Sequence, residues 1–240
     1  MPEQIKLLTS RRAYEFHADD LRLSTLSLKP IQEQIQQLFH FQSSTMGTPI
    51  PTFGDVPATY PPGFVFNMGV WLSPEQQIIP IRFLHFEQRR VVIDVAGPST
   101  AITAIYEQLL HFLHQMQAGD GSPIIGQPER ILDYSEITSQ LRFSIDEMFI
   151  SPLRKLFTKT VIPVESNQPL TLVPTLALGA YQSDQELHAT PSPNEPQTFT
   201  LTFRVGTRPE EKIYFSAAPL DSETHRIYLS DLEAVLASAT

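Results

Sequence analysis

The sequence predicts an α+β fold of two similar β-α-β-β-β-α halves. Together they would form one continuous, mainly antiparallel curved sheet with helices packed on one face. Three observations predict it. Apolar residues alternate with polar ones over several short runs, as half-buried strands require. Two segments carry apolar residues at helical spacing instead. The order strand, helix, long loop, three strands, helix over 13–117 returns over 134–237, each stretch spanning about 105 residues. The expected division is 1–120 and 130–240, joined by a connector at 121–129, with the halves packed into one body because neither could hide its sheet alone.

The elements follow in order. From Ala13 to Leu26, Tyr14 and Phe16, then Leu21 and Leu23, alternate with polar neighbours, which predicts a strand interrupted at Asp19-Asp20. Ile31, Ile35, Leu38 and Phe39 predict an amphipathic helix over Pro30–Phe41, with the proline at its first turn. Residues 43–63 hold five prolines and few charges, which predicts a long loop. Strands are expected over Phe64–Ser73, Ile78–Phe86 and Val91–Ala96. The last two form a hairpin, and Ile79, Ile81, Phe83 and His85 are expected on one side. Ile102, Ile105, Tyr106, Leu109, Phe112, Leu113 and Met116 predict a helix over Ala101–Gln117.

The second half is expected to repeat this. Tyr134–Ser144 reads as a strand, Asp146–Thr158 as a helix with Pro152 near its start, and Leu170–Gln182 as strand-like. A Pro-rich loop is expected at 183–197. Phe199, Leu201, Phe203 and Val205 then predict a strand whose hairpin partner contains Ile213, Phe215 and Ala217. Ser230 and Glu233, at capping-box spacing, predict a short final helix ending near Ala237.

Composition removes several function classes. The net charge is −9. Basic residues are outnumbered by acidic ones five to six in 1–60, eight to eleven in 61–182 and four to nine in 183–240. Nucleic-acid affinity draws on phosphate neutralisation by Lys and Arg, so nucleic acid is an unlikely partner, and an anionic membrane surface is disfavoured too. Without cysteine the chain has no disulfide, iron–sulfur ligand or thiol nucleophile. Neither a secretory leader nor an apolar run of spanning length is evident, so the expected location is the cytoplasm.

Catalytic signatures are equally scarce. His111 and His114 lie three apart on the strongest helix, with Glu107 four before His111, but a zinc site needs further ligands. The pairs Asp19-Asp20, Asp146-Glu147 and Glu210-Glu211 diverge along one element, whereas metal-dependent chemistry wants carboxylates from separate elements. Gly119–Gly126 follows a helix and lacks the Lys of a phosphate loop, and no Gly-x-Ser-x-Gly occurs. No catalytic residue, metal or cofactor is expected.

If a ligand site exists, its candidate residues are Trp71, His85 and Asp94, in a pocket between sheet and helices. Asp94 is the most notable acid, because it stands between Ile93 and Val95 on a strand. The favoured reading is a non-enzymatic interaction or assembly protein. It would use an open sheet face or edge and its Pro-rich loops to hold another protein or a second copy of itself. The low charge, 18 glutamines and 21 prolines fit a surface that is cheap to desolvate against a partner. A small-ligand binder or enzyme is the alternative, and a nucleic-acid binder acting through the concave face is the second.

Overall fold

Alternating apolar positions do assemble one large antiparallel sheet, and every described helix lies on the same side of it. The chain was analysed as a computed structural model that describes residues 4–17, 19–46, 63–116, 121–149, 160–161, 170–171, 173–179 and 198–238. The strands are β1 Gln4–Glu15, β2 Ser43–Met46, β3 Phe64–Leu72, β4 Ile78–Glu87, β5 Arg90–Val95, β6 Arg130–Gln140, β7 Thr160–Val161, β8 Leu170–Thr171, β9 Leu176–Gly179, β10 Thr198–Phe203 and β11 Ile213–Ala218. The helices are α1 Leu23–Leu26, α2 Lys29–Leu38, α3 Ser99–His114 and α4 Ser222–Ser238. Among the described residues, nine strands form one sheet in the order β2-β3-β4-β5-β1-β6-β11-β10-β9, and β7 and β8 pair separately. All these pairings are antiparallel, so the fold is α+β with an open sheet.

The centre of the sheet is the long pair β1·β6, which joins the N-terminal strand to a strand from the middle of the chain. From β1 the sheet runs outward through β5, β4, β3 and β2. From β6 it runs outward through β11, β10 and β9. Two apolar clusters cover the helix side. The first joins Tyr14, Phe64, Phe66, Leu84, Phe86, Val91, Ile93 and Val95 to residues from α1, α2 and α3. The second joins Ile137, Phe199, Leu201 and Tyr214 to Leu229 of α4. Fully burying one such aliphatic or aromatic side chain stabilises the fold by about 1.5–3 kcal/mol.

The two long helices meet at their first turns. Ser99 N–H donates to Ser222 Oγ (2.9 Å), and Ser222 N–H donates to Ser99 Oγ (2.8 Å). The bonds are reciprocal, and both serines are buried. Asp221 then caps the next two amides of α4, accepting from Glu223 N–H and Thr224 N–H at 3.0 Å each. Amides that a helix cannot satisfy internally are thereby bonded.

Several expectations need correction. The first strand is Gln4–Glu15, not 13–26, and Leu23–Leu26 is a helical turn. Arg11 and Arg12 disguised that strand. Each is paired with a carboxylate, Asp94 and Asp133, so a strand can carry both. Ser43–Met46, expected as loop, pairs with β3. The strand expected over 134–144 is Arg130–Gln140. Ile145–Met148 is a short 3-10 turn overlapping the start of the helix expected over 146–158, and 150–159 lie outside the described residues. Of the strand expected over 170–182, two short pieces are described, Leu170–Thr171 and Leu176–Gly179. Residues 47–62 of the loop expected at 43–63, and the loop expected at 183–197, also lie outside them.

The final helix begins at Ser222 with Asp221 as its cap, not at Ser230. Glu233, expected as a capping residue, is buried mid-helix and accepts from the Arg142 backbone N–H (2.8 Å). Within the connector, Ile124 and Ile125 are fully buried in the first core. The predicted helices at Pro30–Phe41 and Ala101–Gln117 match α2 and α3 within a few residues. The hairpins β4·β5 and β10·β11 form as expected. No described helix is long and apolar enough to cross a membrane.

Candidate functional site

A β-bulge in β4 decides which residues meet. Ile81 pairs with Val95, and the next pair is Phe83 with Asp94, so one residue of β5 faces both Arg82 and Phe83. Upstream of the bulge, Ile79 and Ile81 point to the helices, while Leu84 and Phe86 do so downstream. Phe83 and His85 therefore turn to the other side, and the expectation that Ile79, Ile81, Phe83 and His85 share a face is overturned. Bulges often re-aim a side chain in this way. No described helix packs on this second face, where His85, Val92 and Asp94 are nonetheless buried.

Asp94 lies on that helix-free face at the centre of a polar chain. Its side chain is 3% exposed. Arg11 Nε donates to Asp94 Oδ2 (2.9 Å), and Arg11 Nη2 lies 2.8 Å from the same oxygen. Arg82 Nε stands 3.4 Å from Oδ1, an ion pair without hydrogen-bond geometry. The Arg11 guanidinium also lies over two rings, Phe83 at 5.2 Å and Tyr134 at 5.8 Å. Tyr134 OH donates to Glu136 Oε1 (3.1 Å), and Thr9 Oγ1 donates to Glu136 Oε2 (3.0 Å). The register explains the cluster, because Arg11 pairs with Asp94 on one side and with Tyr134 on the other.

Burial pushes the Asp94 carboxyl above the usual carboxylate range, against the pull of Arg11 and Arg82. Burial, with Glu136 beside it, pushes the Tyr134 hydroxyl up to about 12. Tyr134 is thus a donor at neutral pH, and the arginines are permanent cations.

The predicted trio does not converge. His85 and Asp94 share the helix-free face, two rungs apart in the β4·β5 register. Trp71 is across the sheet: it packs on the first core and donates from Nε1 to Gln108 Oε1 of α3 (2.9 Å). His85 is 1% exposed, and neither ring nitrogen has a hydrogen-bond partner, although Nδ1 lies 3.2 Å from Glu87 Oε1. Burial first, and the nearby Arg90 second, lower its pKa to about 4. It is a neutral residue in the sheet at physiological pH. His111 is exposed beside Gln115, and among the described residues no three His, Asp or Glu side chains gather to hold a metal.

Sequence reasoning missed one buried pair. Ser135 Oγ and His225 Nδ1 are 2.8 Å apart, contributed by β6 and α4. The Ser135 hydroxyl donates to Leu220 O (2.8 Å), so the imidazole donates to the hydroxyl oxygen instead of accepting its proton. A general base would do the opposite. Both residues are 0% exposed, and His225 Nε2 has no partner. This is a structural pair. Arg11 and Tyr134 were also missed, and the signal that could have found them is two arginines in a short run beside a strand acid.

Comparison with protein-family models, with characterised proteins and with solved structures returned no match.

Proposed function

We propose that the chain is a non-enzymatic interaction protein that holds a protein partner on the helix-free face of its sheet, around Arg11, Phe83, Asp94 and Tyr134. One observation carries the reading. Arg11 is fixed between two aromatic rings and anchored to a buried carboxylate on the side away from the helices. Arg and Tyr dominate the energetics of protein interfaces, and they act best when their rotamers are already set. Exposed apolar residues continue the same face. Leu72 and Ile78 pair at the tip of the β3–β4 hairpin and are 58% and 66% exposed.

The face belongs, in this reading, to a body of two similar halves. Support comes from the mirrored outward strand order about β1·β6. It comes also from equal spacing between strand end and helix start, Val95 to Ser99 and Ala218 to Ser222. The reciprocal Ser99–Ser222 bonds, which two equivalent helix starts would make across a pseudo-two-fold axis, agree.

Affinity purification of the full chain from its native cells tests the function. Tyr134→Ala and Phe83→Ala should each remove a stoichiometric co-purifying protein. Val235→Asp, on the exposed side of α4, should retain it. Loss with Val235→Asp and retention with both face variants would overturn the proposal.

A further inference from the structure

Resting on the reading that this face docks a protein, we infer that Arg11 and Arg82 form a carboxylate-binding pair that takes an Asp or Glu side chain, or a terminal carboxylate, of the partner. Asp94 is the fixed post between them. Arg11 directs Nε and Nη2 to Oδ2, which leaves Nη1 with no described partner. Arg82 brings Nε to 3.4 Å from Oδ1, and neither of its Nη groups has a described hydrogen-bond partner. The side chains are 35% and 47% exposed, so these donors reach solvent. The rings of Phe83 and Tyr134 hold the Arg11 guanidinium where it is, and the bulge in β4 places Arg82 beside Asp94.

Donor geometry selects the ligand. Asp94 and Glu136, the latter accepting from Thr9 and Tyr134, together balance the charges of Arg11 and Arg82, so what a ligand meets is the set of Nη–H donors with no described partner. A guanidinium presents parallel N–H donors that match the two oxygens of a carboxylate.

The test is a side-chain NMR titration of the ¹⁵N-labelled full chain at constant ionic strength. The probes are a tetraglutamate peptide with blocked ends and, separately, inorganic phosphate. The Nε–Hε signals of Arg11 and Arg82, assigned by substitution, should shift saturably with the peptide. Arg82→Gln should weaken peptide binding at least tenfold in a protein whose backbone amide spectrum shows the fold retained. Arg82→Lys should recover part of it. A peptide response without saturation, equal affinity in Arg82→Gln, or tighter saturation by phosphate would overturn the inference.

The docking reading can fail separately. A partner lost with Phe83→Ala but retained by Arg82→Gln would overturn the carboxylate pair and leave the face intact. A saturable peptide response, together with a partner indifferent to Phe83→Ala and Tyr134→Ala, would overturn the docking reading alone.

Discussion

Acid should destabilise this protein over a pH window set by two buried histidines. His225 is 0% exposed, donates from Nδ1 to Ser135 and leaves Nε2 unpartnered. Burial lowers its pKa from 6.5 to about 4. His85 is lowered to about 4 as well, by burial and Arg90. In the unfolded chain both return to the ordinary value. Between pH 6.5 and 4 the unfolded state therefore binds more protons, so stability is complete above 6.5 and falls as pH drops toward 4.

For a site shifted from 6.5 to about 4, the loss is about 2 kcal/mol at pH 5 and about 3 kcal/mol below pH 4. Two such sites remove about 4 kcal/mol at pH 5, a large part of an ordinary 5–15 kcal/mol. Urea unfolding at pH 7.5 and 5.0 at fixed ionic strength measures the drop. His225→Gln should reduce it by about 2 kcal/mol, whatever its stability at pH 7.5. Comparing the variant with the parent protein cancels the titration of other groups, including Asp94. An unchanged drop in His225→Gln would refute the reasoning.

Three further outcomes are expected from chemical denaturation. Gly69→Ala places a Cβ 2.5 Å from the Phe41 ring, so it should cost about 1–3 kcal/mol, as overpacking does. Asp221→Ala removes the cap of α4 and should cost about 1 kcal/mol. Ser99→Ala and Ser222→Ala each strand a buried N–H of the opposite helix, at about 1–3 kcal/mol apiece. Their double-mutant cycle should show coupling, and strict additivity would mean the two bonds act independently.

Legibility in the sequence followed burial. Where one strand face is apolar and the other polar, as in Phe199–Phe203, alternation located the strand, and Phe64–Leu72 was located as a continuous apolar run. Helix α3, with a continuous apolar stripe, was located the same way. The pattern failed where polar residues are satisfied by partners far away in sequence. The centre of β1, Thr9-Ser10-Arg11-Arg12, looks like loop, yet Arg11, Arg12 and Thr9 each meet a carboxylate from a neighbouring strand. Helix α4 hid its start because the Ser222 amide is satisfied by a serine 123 positions away.

The bulge at Arg82 is invisible to a period-two reading and reverses the facing of everything after it. That is why Asp94 was legible as an acid between buried neighbours while its partners were not. It also explains why Trp71 was grouped with residues on the opposite face.

Hydroxyl-radical footprinting of the chain bound to its co-purified partner tests the docking face most directly. Phe83 and Tyr134, partly exposed on the helix-free face, should lose reactivity in the complex, while Trp71 and Tyr228 on the helix side keep theirs. Protection of Trp71 and Tyr228 with Phe83 and Tyr134 unchanged would contradict the account.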